Sequence, residues 1–366
     1  MTNYPNVAKA TQYAKEVLSG KIVANKWIKL ACRRHFDDLD KVNNKDYPYF
    51  FEPKKAERVA KFIQLLPHTK GKWAAVKQNL RLEPWQLFAL CLPFGWLKKD
   101  TGKRRYNKIL VFVPRKNGKS AMAAALGVYM LCADGEFGAE VYSGATTEKQ
   151  AWEVFRPAKL MVTRTPELKE HFGVEVNASN MSIASDGSRF EPIIGNPGDG
   201  ASPSCAIVDE YHEHKDDTLF DTMLTGMGAR DEPIMLIITT AGSSIGGACY
   251  TMVKDAEKML DEAMDTPDLW AMIYGKDKDD DWTDDIALLK ANPNYDVSVS
   301  GEFLKARQRD AMASASKQAV FRTKHLNEWV GAKNAWMNMA KYTDCPKRLP
   351  LSELAGRPCF IGLDLA

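Results

Sequence analysis

An α/β architecture with a mostly parallel sheet is what this sequence predicts, on three observations. Short unbroken apolar runs stand at Ile109–Val113, Cys205–Val208 and Ile234–Ile238, the mark of strands covered on both faces. Helix-patterned stretches alternate with them, as crossovers between parallel strands require. The first run opens into Pro114-Arg115-Lys116-Asn117-Gly118-Lys119-Ser120, a strand–loop–helix passage of the kind that wraps an anion.

The composition suits a globular chain. Of 366 residues, 45% are hydrophobic and 27% charged, too apolar for disorder and long enough for two domains. No stretch approaches the roughly 18 uninterrupted apolar residues of a membrane helix. The first ten residues lack the apolar region of a secretion leader. Seven scattered cysteines without a CxxC pair predict reduced thiols in a cytosol and exclude a disulfide scaffold or zinc ribbon. The net charge of +3 conceals an asymmetry. Through Lys119 there are 26 Lys and Arg against 9 Asp and Glu, and beyond it 24 against 38. A basic front is what a polyanion-facing surface requires, although it also serves simply to neutralise an acidic half.

Residues 1–80 read as a helical segment: two helices between Val7 and Asp40, broken at Ser19-Gly20, and a third from Lys54 to Leu66 after the Pro/aromatic stretch Tyr47–Pro53. Glu83-Pro84-Trp85-Gln86 opens another helix, since Pro suits the first helical position. The α/β core is expected over residues 81–275. It includes a helix from Ser120 to Leu131, a strand at Ala139–Tyr142, a long helix from Thr147 to Val162 and strand-like pieces at 173–176, 181–184 and 189–194. The helix at Thr218–Met227 precedes the third apolar run. The acidic run Lys276–Asp285 separates this core from a small helical piece, the two together making up 276–330. Residues 331–358, carrying Pro346, Pro350 and Pro358, read as a linker. Phe360-Ile361-Gly362-Leu363-Asp364 starts a fresh apolar strand within 359–366, from which the chain is expected to be the front part of a longer protein.

Two signals carry chemistry. Gly118-Lys119-Ser120 at a helix start is where Lys119 reaches the terminal phosphates of a nucleotide and the Ser120 hydroxyl meets Mg²⁺. The usual early glycine of such loops falls at Val113, so this loop must turn differently, with Pro114 the expected aid. The second signal is Val208-Asp209-Glu210, adjacent carboxylates at a strand end: Asp209 as the Mg²⁺ partner, Glu210 as the base that deprotonates water. A helix cap would use the same residue types, but both signals fall on buried strands in the order that ATP hydrolysis needs. Gln86 is a candidate for an adenine edge. Thr239-Thr240-Ala241-Gly242 ends the third run in small hydroxyl residues. His212 and His214 flank Glu213 without a third ligand nearby, a weak metal pattern.

Together these residues resemble the large terminase subunit, the packaging motor of tailed bacteriophages. The resemblance is carried by Pro84-Trp85-Gln86, Arg115-Lys116-Asn117-Gly118-Lys119-Ser120, Val208-Asp209-Glu210 and Thr239-Thr240-Ala241-Gly242. Ala291-Asn292-Pro293, Phe321 and Leu326-Asn327-Glu328-Trp329 extend it. It spans residue 80 onward. It implies a RecA-like, additional-strand P-loop ATPase core, a helical lid and the first strand of an RNase H-like nuclease, with ATP and Mg²⁺ as cofactors. It also implies Arg115 at the γ-phosphate or a neighbouring residue, Arg115 to Ser120 and Thr240 around the nucleotide, and an arginine finger supplied in trans, for which Arg156 is the candidate and Arg164 and Arg230 are rivals. Asp364 would be the first nuclease metal ligand. The expected partners are double-stranded DNA bound without sequence preference, a small terminase subunit and a portal on the procapsid, with a ring of like subunits working in the host cytoplasm. The densest basic cluster, Lys98, Lys99, Lys103, Arg104 and Arg105, is the expected DNA grip. Two other classes share parts of the pattern. A helicase needs a second RecA-like domain, for which 284–330 is too short and too helical; a non-hydrolysing scaffold would not need the full Lys119/Ser120/Asp209/Glu210 set.

Overall fold

The computed structural model describes residues 3–194 and 200–331, with isolated positions at 352, 355–356 and 358. In chain order the elements begin with α1 (Pro5–Leu18), α2 (Lys26–Lys41), β1 (Tyr49–Phe51), α3 (Pro53–Ile63), α4 (Gly71–Ala75) and the single turn α5 (Pro84–Gln86). After a π turn over Leu87–Cys91 come β2 (Trp96–Lys98), β3 (Lys108–Phe112), α6 (Lys119–Cys132), β4 (Glu140–Ala145), α7 (Glu148–Thr163) and α8 (Pro166–Phe172). Then follow β5 (Val174–Val176), β6 (Met181–Ile183), β7 (Ser188–Ile194), β8 (Cys205–Asp209), α9 (Thr218–Gly226), β9 (Ile234–Thr239), α10 (Ala248–Leu260) and β10 (Leu269–Ile273). Three helices, α11 (Asp285–Ala291), α12 (Gly301–Ala313) and α13 (Ala315–His325), complete the described chain.

Eight strands form one sheet in the order β10-β3-β9-β8-β4-β7-β6-β5. The six from β10 to β7 run parallel, and β6 and β5 return antiparallel at the far edge. The apolar runs of β3, β8 and β9 are buried throughout or nearly so, because helices cover both faces. One strand, β9, lies between β3 and β8. Its register pairs Thr239 with Phe112 on one side and Ile238 with Asp209 on the other. The carboxyl ends of three neighbours therefore finish at one level, the place where open parallel sheets gather their ligands.

Residue 80 does not divide two cores. Side chains of α1–α3, among them Ala14, Val17, Ile28, Cys32 and Ile63, join the same apolar cluster as the strands. Helix α2 lies against the edge strand β10: Asn25, which also caps α2 by accepting the Ile28 N–H, donates to Ile273 O at 3.0 Å, and Arg34 donates to Leu269 O at 2.8 Å. The aromatic stretch contributes a short strand, β1, which pairs antiparallel with the distant β2. By contrast, α11–α13 enclose a small core of their own, built on Leu288, Leu304, Ala311, Phe321 and Leu326.

Of the basic cluster at 98–105, Arg104 and Arg105 are not free to grip phosphate as expected. Arg104 is buried and pairs with Asp134 at 2.6 Å; Arg105 is buried and pairs with Asp38 at 2.6 Å while its guanidinium faces the rings of Tyr49 and Tyr106. Lys103 reaches Asp231 and Lys99 donates to Asn44 O. Sequence density of charge does not report burial, and an Arg stem of three methylenes readily carries its charge inward to a carboxylate. The expected linker and Asp364 lie outside the described residues, as does almost all of 332–366.

Candidate active site

The loop after β3 turns through two left-handed residues, Lys116 (φ 72°) and Gly118 (φ 84°). A non-glycine residue there costs roughly 1 kcal/mol or more, and this is how the loop manages without an early glycine. Its support comes from the helical subdomain. Asn117 is fully buried: its Nδ2 donates to Pro114 O (3.2 Å) and Asn292 Oδ1 (3.0 Å), and its Oδ1 accepts the Asn294 N–H (3.0 Å). Asn294 Nδ2 donates to Asn117 O, Ser298 Oγ to Lys116 O at 2.6 Å, and the Trp85 indole N–H to Asn294 Oδ1 at 2.6 Å. The Asn292-Pro293-Asn294 turn thus holds the loop from outside.

Beneath the loop is a cavity of about 700 Å³. Arg115, Lys116, Gly118, Lys119, Ser120, Asp209, Glu210 and Gln86 all line it, so eight of the residues named from the sequence meet in one place. Lys119 is buried and its Nζ donates to Val113 O at 2.9 Å. Burial holds its pKa below the usual lysine range, against the pull of Glu210 and Asp209. Burial raises Asp209 above the usual carboxylate range, with the Glu210 charge adding to it and Lys119 opposing. Asp209 Oδ1 accepts the Glu210 N–H at 2.8 Å, and Glu210 itself is left-handed at φ 49°, which turns its side chain out of the strand direction into the cavity. Glu210 Oε2 is buried and has no hydrogen-bond partner.

The remaining candidates are placed differently. Asn117 does not line the cavity, because its amide is consumed by the interlock just described. Thr240 is buried with its hydroxyl 3.4 Å from His212 Nδ1, again behind the cavity wall. Gln86 reaches the cavity, but its Oε1 accepts the Glu83 N–H at 2.9 Å in a capping box, leaving its NH₂ as the free end. Arg156 is exposed on α7, 5.7 Å from the Trp152 ring, and does not line the cavity. Its rivals are engaged within the chain: Arg164 donates to His68 O and Thr69 O, and Arg230 to Ser202 O and Glu136.

Reading the sequence missed one wall. The segment carrying His68, Lys70, Trp73 and Arg81 borders the cavity and is fastened to α7 through Lys70–Glu153 and Arg164. The rings of His68 and Trp73 lie 4.9 Å apart. Only Gly71, at φ 76°, marks a turn there, and nothing in its spacing points at a strand end some 40 residues away.

The donor set fits a magnesium nucleotide. Ser120 and Asp209 supply oxygen donors to one cavity, and a cation would relieve the burial penalty on Asp209. Among the described residues no group of three or more His, Cys, Asp and Glu side chains is placed to cage a metal. Such a cation would take its other ligands from phosphate and water, the habit of Mg²⁺.

The fold and this site define a P-loop nucleotide-binding protein of the RecA-like class. Two family models match consecutive parts of the chain: "Terminase large subunit, ATPase domain" over residues 84–258 and "Terminase large subunit, endonuclease domain" over 263–366. The chain belongs to the terminase large subunit family. It is 25% identical over 329 residues to the "Terminase, large subunit" of Enterobacteria phage HK97, covering 85% of this chain and 60% of that protein. It is 49% identical over 170 residues to "Protein YmfN" of Escherichia coli (strain K12), covering 46% of this chain and 37% of that protein. A crystal structure of the HK97 bacteriophage large terminase matches the fold with a TM-score of 0.64 at 24% identity, over 75% of this chain and 55% of that one. The chain thus spans under two thirds of the length of the relatives it matches.

Proposed function

We propose that the chain hydrolyses ATP with Mg²⁺ and, as part of a large terminase, drives double-stranded DNA into a procapsid. The single observation that carries the reading is the convergence of Lys119, Ser120, Asp209 and Glu210 on one cavity from the ends of two strands separated only by β9. Backbone N–H groups at the start of α6 and the Lys119 ammonium bind the phosphates, which requires Lys119 to leave Val113 O. Ser120 and Asp209 would hold Mg²⁺, whose part is to neutralise charge on the phosphates. Glu210 orients the attacking water and takes its proton. Arg115, exposed beside the cavity, adds positive charge at the terminal phosphate, and Gln86 donates to the base.

Arg156 is the proposed finger for a neighbouring subunit: it is exposed, and no ion pair holds it among the described residues. The proposed partners remain DNA, a small terminase subunit, a portal and further copies in a ring, in the host cytoplasm. Among the described residues no helix is long and apolar enough to cross a membrane. The endonuclease match supports a metal-dependent nuclease in which Asp364 is a ligand. Phosphate release by wild type, Lys119→Ala and Glu210→Gln tests the reading. Lys119→Ala should lose both binding and turnover, and Glu210→Gln should bind ATP while losing turnover by about 10²–10⁴-fold. Near-normal turnover in Glu210→Gln would remove that residue from its role.

A further inference from the structure

The motif His212-Glu213-His214 takes no part in the chemistry above, yet the His212 side chain is enclosed, 1% exposed. It is held between three elements. Its backbone N–H donates to Thr239 Oγ1 at 3.1 Å, and its Nδ1 lies 3.1 Å from that oxygen and 3.3 Å from Glu210 Oε2. Its Nε2 faces Glu213 Oε1 at 3.1 Å, Lys324 Nζ on α13 at 3.4 Å and Thr240 Oγ1 at 3.5 Å. Gly242 closes over the same ring: a Cβ there would sit 3.2 Å from both His212 Cβ and Cδ2.

Enclosed beside the Lys324 ammonium, a neutral imidazole carries its one N–H on one nitrogen or the other. Its position follows from the partners. An ammonium can only donate, so Lys324 favours an unprotonated Nε2. Glu213 is half exposed and has water for its own hydrogen bonds. Thr239 Oγ1 already accepts the His212 backbone N–H and donates to Thr240 O at 3.2 Å. The hydrogen therefore belongs on Nδ1, where Thr239 Oγ1 accepts it with its second lone pair at 3.1 Å, and the buried Glu210 Oε2, without a hydrogen-bond partner, stands beside the same nitrogen at 3.3 Å.

We propose that His212 is a positioning residue for hydrolysis, its Nδ1 edge seated against the Glu210 carboxylate in an orientation that Thr239 and, from the helical subdomain, Lys324 set. This rests on Glu210 being the base. A consequence is that a shift of α13 reaches the base without touching nucleotide or metal.

Steady-state ATPase rates and equilibrium binding of a fluorescent ATP analogue, on the full chain, test it. His212→Leu should lower kcat at least tenfold with nucleotide Kd held within twofold. His212→Asn, which keeps an N–H near the Nδ1 position, should recover most of the turnover. Lys324→Met should lower kcat by less, and add nothing in the His212→Leu background, as expected for residues on one path. If His212→Leu does not fold, Gly242→Ala crowds the ring without deleting it and should lower kcat with Kd retained. Wild-type kcat in the variant that folds overturns the inference, and so does an equal loss in His212→Leu and His212→Asn accompanied by weakened binding. Equal turnover of wild type and Glu210→Gln would overturn the base assignment and this inference with it. A Glu210 effect without a His212 effect overturns only this one.

Discussion

Around β3, β9 and β8 the interior is made of side chains with essentially no exposed surface, such as Leu110, Val111, Ile207 and Ile237, in one cluster that also takes in α1–α3. The helical subdomain has a core of eight buried side chains, and much of its attachment to the sheet is polar. Asn292 and Asn294 hold the phosphate loop, while Asn327 accepts the Ala241 N–H (2.8 Å) and donates to Tyr274 O. The difference is instructive. Buried apolar area accumulates over the whole sheet and resists partial opening, whereas a hydrogen bond exchanged with water changes free energy by only about 0.5–1.5 kcal/mol net. The proposed motor would need both: a sheet that keeps Lys119, Asp209 and Glu210 in register, and a subdomain that can shift against them.

The comparison can be broken most sharply at Arg104. Replacing it with Ala leaves Asp134 buried and uncompensated, so a loss of roughly 3–5 kcal/mol is expected in denaturant unfolding. Lys98, exposed on the same stretch, should change stability by no more than about 0.5 kcal/mol when replaced by Ala. Similar losses for the two would contradict the burial of Arg104.

Ile237→Ala in β9 should cost about 2–5 kcal/mol and move the whole sheet's hydrogen-exchange protection together. Leu304→Ala in the subdomain core should instead expose amides of residues 285–326 first. If both variants lose protection everywhere alike, the two regions are one cooperative unit.

Acid should act on both regions through buried neutral histidines. Burial lowers His35, whose Nδ1 accepts the Trp96 indole N–H, to about 4, and His325 in the subdomain also to about 4. The unfolded chain binds these protons first, near pH 6.5, so stability is full above that value and lost as pH falls towards 4. The full effect of His35 is about 3 kcal/mol. Urea midpoints between pH 7 and 4 should fall less steeply for His35→Gln than for wild type.

The smallest effect belongs to the interlock. Asn117→Ala strands two buried amides of the turn, worth about 1–3 kcal/mol, but the cost should appear as weaker nucleotide binding and a loosened subdomain. A melting shift as large as that of Ile237→Ala would show that the loop belongs to the sheet's cooperative unit.

Much of this molecule was legible in the order of its residues. The apolar runs marked β3, β8 and β9 because a strand buried on both faces has no polar side to alternate with, and Gly118-Lys119-Ser120 and Asp209-Glu210 marked their own strand ends. Strand β10 and helix α10 went unread: Leu269–Ile273 follows a polar stretch and owes its place to pairing with β3 and cover from α2. The sequence by itself determined which side chains can bind phosphate and take a proton, since that is a property of functional groups. Only the tertiary structure decided that Asn117 faces the subdomain and not the cavity, that Arg104 and Arg105 are buried pairs, and that His212 stands behind Glu210. Each of these depends on what lies opposite across tens or hundreds of residues, and local spacing carries no information about a partner brought there by the fold.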